Sequence, residues 1–128
     1  MMLDYALVAL GGAMGSVARF WFAAMMVRVT GPTFPWGTLI INIVGSFVIG
    51  LLAGGMHPDA WFHIPHHWAV FTMTGICGGF TTFSSFSLQT FDLFKGKQKL
   101  ESVAYVLASV VFCLLGVVLG TAIYSLPF

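Results

Sequence analysis

Hydrophobic residues dominate this chain in long blocks rather than in alternating patterns. Four apolar stretches, at about residues 5–27, 36–56, 68–94 and 101–126, are each long enough to cross a bilayer. The polar breaks between them are short. Gly31, Pro32 and Pro35 mark the first, and Pro58 and Pro65 lie in the second. The third is Lys95-Gly96-Lys97-Gln98-Lys99. Tyr5, Trp36, Trp61, Trp68 and Tyr124 stand near the predicted ends, where aromatic residues suit the headgroup region. The pattern predicts an all-α membrane protein, a single four-helix domain over residues 1–128. Asp4 stands where a signal peptide would be basic, and the apolar run continues past Ala13, so the first span is expected to be retained.

Composition agrees. Of 128 residues, 59% are hydrophobic and 7% charged, against roughly 25% charged in soluble domains. Net charge is +1, and no basic patch suggests nucleic acid. Cys77 and Cys113 fall inside predicted spans and read as free, packed thiols. Small residues recur four apart at Gly11 and Gly15, at Ser46, Gly50 and Gly54, and at Gly116 and Gly120. Such rows let membrane helices approach closely.

The third stretch is unlike a plain span. It contains Gly75-Ile76-Cys77-Gly78-Gly79-Phe80-Thr81-Thr82-Phe83-Ser84-Ser85-Phe86. Gly75, Gly78 and Gly79 are expected to break the helix at membrane depth. Irregular backbone is tolerated there only inside protein or beside a wet cavity. Freed carbonyls at such a break commonly coordinate a small cation. Phe83 and Phe86 share a face among hydroxyl residues, and their electropositive ring edges can meet an anion. Thr82, Ser84, Ser85 and Ser87 add donors beside them.

Two further polar faces follow from helical spacing. Thr38, Asn42 and Ser46 line one side of the second span, and Tyr105, Ser109 and Cys113 one side of the fourth. Asn42 brings two N–H donors. Arg19 is the one formal charge well inside a span, readable as an anion-facing group or as one that caps backbone carbonyls or snorkels to an interface. No carboxylate or histidine sits at depth to relay protons, so the chain reads as a passive pathway. His57, His63, His66 and His67 lack a zinc-site signature and read as incidental loop residues. No catalytic triad, carboxylate pair or phosphate loop can be assembled, so an enzyme is not expected.

Three patches together resemble the Fluc (CrcB-type) fluoride channel family: residues 15–20 (GSVARF), 36–45 (WGTLIINIVG) and, most specifically, 75–86. Length and span number fit as well. The resemblance implies an antiparallel dual-topology dimer with two fluoride pores in the bacterial plasma membrane. It implies pore-lining roles for Phe83 and Phe86 and fluoride contact by Asn42. It places Thr38, Tyr105 and Ser109 among the pore-side polar residues; the hydroxyl pattern itself adds Ser84 and Ser87 as expected donors to the fluoride path. It implies a structural sodium ion at the dyad, held by carbonyls of Gly78 and Thr81 from each subunit, and no organic cofactor. The task implied is export of fluoride that enters as neutral HF.

Two features depart from the family pattern. Gln89 stands where many members carry glutamate. Arg28, Lys95, Lys97 and Lys99 all fall on one side of the predicted topology, which by the positive-inside rule favours a single orientation. That bias raises the alternative of a heterodimer with a homologous, oppositely inserted chain. The rival functions are a small multidrug exporter, which would want a membrane-embedded glutamate, and a non-conducting partner subunit.

Overall fold

The computed structural model describes residues 1–125. The predicted spans appear as helices. These are α1 (Met2–Thr30), α2 (Trp36–Gly55), a segmented third crossing, and α6 (Lys99–Ala122), which ends in a 3-10 turn at Ile123–Ser125. The last residue of the predicted fourth span, Leu126, lies outside the described residues. Among the described residues, three helices are long and apolar enough to cross a membrane: α1, α2, and α6 with its turn. The third crossing is built in pieces: α3 (His66–Ala69), a π-helical stretch (Val70–Cys77), α4 (Gly78–Phe80) and α5 (Phe83–Lys95). At 13 residues, α5 is about 20 Å long, short of the roughly 30 Å hydrocarbon core. The crossing therefore needs both of its halves. The chain is a multi-pass membrane protein.

The break lies elsewhere than the glycines suggested. Gly75, Gly78 and Gly79 all sit inside helical segments, and the chain turns extended at Thr81 (φ −74°, ψ 157°) and Thr82 (φ −153°, ψ 117°). β-branched threonines fit extended backbone, and a threonine hydroxyl can cap the helix that follows. Thr82 does so for α5, accepting the Ser85 N–H at 3.2 Å.

Two of the three glycines bring helices together instead. A Cβ on Gly15 would run into the Ile76 carbonyl, and one on Gly79 into the Gly12 carbonyl. A Cβ on Gly75 would come within 3.0 Å of the Gly11 Cα. So α1 lies backbone to backbone on the first half of the third crossing. The same device joins α2 to α6. A Cβ on Gly50 would strike the Val117 carbonyl, and one on Gly120 the Phe47 carbonyl. Close approach takes the place of hydrophobic drive, which is missing between helices in lipid.

At the end carrying the first and third connections, Leu39, Leu93 and Tyr105 form a buried cluster with Phe34, Ile43, Phe86 and Ala108 packed on it. Both cysteines are free thiols, Cys77 buried and Cys113 half-buried.

Candidate ion pathway

At the break, Asn42 reaches from α2 to the backbone of the third crossing. Its Nδ2 donates to the Thr82 carbonyl at 3.0 Å, and its Oδ1 accepts the Thr82 N–H at 2.8 Å. This double contact fixes which way the amide points. It gives the Thr82 N–H, which makes no helical bond, a partner at membrane depth and adds a donor to the Thr82 carbonyl. One Nδ2 proton remains free for another acceptor.

Beside this contact lies a groove of about 340 Å³. Asn42, Ser46, Thr81, Thr82, Phe83, Phe86, Ser109 and Cys113 contribute to its lining. It therefore joins the polar faces of α2 and α6 to the phenylalanines of α5. Phe83 and Phe86 stand 5.7 Å apart, centroid to centroid. Phe86 in turn packs on Tyr105 at 5.4 Å. The Ser109 hydroxyl is buried and has no hydrogen-bond partner among the described residues. Buried polar groups are seldom left so.

A second cavity, of about 300 Å³, opens at the end where α1 gives way to α2. Thr30, Thr33, Thr38, Gln89, Asp92 and Gln98 supply its polar side chains. Thr38 precedes Asn42 by one turn, and Gln89 follows Phe86 by about one turn. The two cavities thus lie in series along the same faces of α2 and α5. Between them stands Tyr105, fully buried, its hydroxyl donating to Gln89 Oε1 at 3.1 Å. Gln89 serves as an acceptor here, which a glutamate would do as well.

The structure gathers Asn42, Phe83, Phe86 and Ser109 into one groove and sets Thr38 and Tyr105 at its approach. Ser84 and Ser87 are not part of the groove lining. The Ser84 hydroxyl lies 3.2 Å from Thr82 Oγ1, and Ser87 donates back to the Phe83 carbonyl at 3.0 Å. Arg19 Nη1 donates to the Thr81 carbonyl at 3.4 Å, the carbonyl-capping arrangement. Sequence reasoning missed the role of Thr82. Its place after a helix end and three residues before Ser85 is a capping signal that was available.

A family model described as "CrcB-like protein, Camphor Resistance (CrcB)" matches residues 6–121. The chain is 52% identical over 118 residues to a Rhodospirillum rubrum protein named fluoride-specific ion channel FluC, covering 92% of each chain. A protein of the same name from Paramagnetospirillum magneticum is 50% identical over 119 residues, 93% of each chain. One from Agrobacterium fabrum is 47% identical over 122 residues, 95% of this chain and 96% of the relative. With nearly its whole length matched, from the α1 glycines to the α6 glycines, this chain belongs to the CrcB family of membrane proteins.

Proposed function

We propose that this chain forms a fluoride-selective channel of the bacterial plasma membrane, which exports cytoplasmic fluoride by passive conduction. The observation that carries the reading is the Ser109 hydroxyl, an unpartnered buried donor in a groove shared with Asn42, Phe83 and Phe86. Fluoride is small, hard and strongly hydrated. Its water can be replaced only by closely spaced donors, and the groove offers the Ser109 O–H, the free Asn42 N–H and two aromatic ring edges. The groove lining contains neither carboxylate nor histidine, which fits passive conduction. A multidrug exporter is disfavoured, since no acidic residue lies at membrane depth to drive it.

The path needs a second copy. Phe83 is 79% exposed in a single chain, so the groove has an open side. An antiparallel homodimer would close it and give two pores. A heterodimer with a homologous chain is the alternative that the loop charge bias favours.

A sodium ion at the dyad suits the break. The Thr82 N–H is held by Asn42, so it closes no helical bond onto the Gly78 carbonyl. Thr81's carbonyl keeps a lone pair beside its Arg19 contact. Carbonyls of Gly78 and Thr81 from two copies would supply the hard oxygen ligands that Na⁺ takes at such breaks. The ion's part would be structural.

The test is ion efflux from liposomes containing only this purified chain. Rapid fluoride efflux with strong exclusion of chloride is expected. Comparable efflux of both ions overturns the selectivity reading. No efflux of either means that the chain needs a different partner or conducts nothing.

A further inference from the structure

Away from the pathway, Asp4 meets a histidine pair remote from it in sequence where α1 and α3 begin. Asp4 lies in the first turn of α1. His66 and His67 open α3, directly after Pro65 (φ −61°, ψ 149°), which ends the second connection in extended backbone. The histidines are therefore helix-borne and placed, not scattered in a loop. Asp4 Oδ1 stands 3.5 Å from His66 Nε2 and 3.1 Å from His67 Nδ1. The candidate ligand atoms of all three residues lie within 4.8 Å of one another. The two rings meet edge to face at 5.4 Å.

Ligand atoms around a tetrahedral ion at 2.0–2.1 Å are separated by about 3.3 Å. The two Asp4–His distances straddle that value. The remaining edge would close by rotation of an imidazole, and both rings are exposed, touching Asp4 and each other. Two imidazoles and one carboxylate, with no thiolate, form a donor set for Zn²⁺, Ni²⁺ or Cu²⁺ rather than for Mg²⁺ or Ca²⁺.

We propose that Asp4, His66 and His67 form a binding site for a divalent transition metal ion of the Zn²⁺ class, with its fourth position open to water. Such an ion ties the start of α1 to the start of the third crossing. Those are the two elements whose backbones meet further along, Gly11 against Gly75, Gly12 against Gly79 and Gly15 against Ile76. The ion therefore clamps the helix pair that leads to the Thr81–Thr82 break. With three exposed or half-buried ligands, binding is reversible.

The test uses the full chain without an affinity tag, in detergent, titrated with Zn²⁺ by calorimetry, with Mg²⁺ as the hard-ion comparison. One Zn²⁺ per chain is expected, with no comparable Mg²⁺ binding. Asp4→Asn and the pair His66→Gln/His67→Gln should each weaken Zn²⁺ binding at least about tenfold, as loss of a ligand requires. The pair His57→Gln/His63→Gln removes the other two histidines and should leave binding unchanged. Zn²⁺ should raise the Tm of the parent chain and not that of the His66/His67 variant. Binding that survives in the His66/His67 variant, that is lost in the His57/His63 variant, or that Mg²⁺ equals overturns the proposal.

Discussion

Asn42 grips the Thr82 peptide from both sides, donating to its carbonyl at 3.0 Å and accepting from its N–H at 2.8 Å. One amide thus supplies the partner that the Thr82 N–H lacks at the break, while the Thr81 N–H still donates to the Cys77 carbonyl. Asn42→Asp keeps the shape but turns the donor into an acceptor facing the Thr82 carbonyl. The lost bond and the oxygen–oxygen contact should cost about 1–3 kcal/mol of stability. In the channel reading, fluoride efflux should collapse as well. A variant with unchanged Tm and unchanged efflux would show that neither role holds.

Ser109→Ala separates packing from conduction. The Ser109 hydroxyl is buried without a partner among the described residues, so removing it should leave stability unchanged or raise it by up to about 1 kcal/mol of relieved desolvation, read as an unchanged or higher Tm. Fluoride efflux should fall nevertheless, because a donor has left the groove. Normal efflux from a well-folded variant would remove Ser109 from the pathway.

Phe83→Ile and Phe86→Ile test the ring edges. Phe83 is largely exposed within one chain, whereas Phe86 packs on Tyr105 at 5.4 Å. The Phe86 variant should therefore lose about 0.5–1.5 kcal/mol of aromatic contact, and the Phe83 variant less. Both should conduct fluoride more slowly while remaining folded. If both conduct normally, the rings serve packing and the pathway runs elsewhere.

The spans, the polar faces and the unusual third crossing were all legible in the sequence, because length, hydropathy and the 3.6-residue period act locally. The position of the break was not. Glycine lowers helix propensity, yet in a membrane it also allows backbone contact. The Gly11–Gly15 spacing announced the second use, but only the tertiary arrangement shows that Gly75 and Gly79 serve it too. The meeting of Asp4 with His66 and His67 was likewise hidden, since more than 60 positions separate them. Their proximity follows from how α1 lies on the third crossing.

Alanine at selected glycines tests that arrangement. At Gly15 or Gly79 the new methyl meets carbonyl oxygen and backbone of the facing helix. Overpacking of this kind should cost about 1–3 kcal/mol. At Gly12 and Gly78 the methyl meets nothing within 4 Å in this chain. Gly12→Ala should leave the Tm unchanged. Gly78→Ala discriminates further: a change in the monomer–dimer equilibrium, read by sedimentation, places that surface against a partner copy. No change there would put the dimer contact and the proposed sodium ligand elsewhere.

Orientation is set by few charges. Lys95 lies over the Phe91 ring and Lys99 over the Phe94 ring, at 5.4 and 5.3 Å, so both cations sit close to the span ends. That is where the positive-inside rule acts, and Asp92 and Glu101 nearby contribute little to it. A strict reading gives one topology, which cannot by itself build an antiparallel homodimer. Yet a chain of 128 residues with so few charges is easily inserted either way, and the homodimer requires both. Single cysteines at His63, in the second connection, and at Gln98, in the third, are uncharged replacements that leave this bias intact. Native Cys77 is buried and Cys113 half-buried within a span, so the parent chain serves as the blank for a membrane-impermeant label. Labelling of whole cells should reach about half of the chains at each position if the protein inserts both ways. Complete labelling at one position and none at the other would mean a single topology, and the antiparallel partner would then be a different chain.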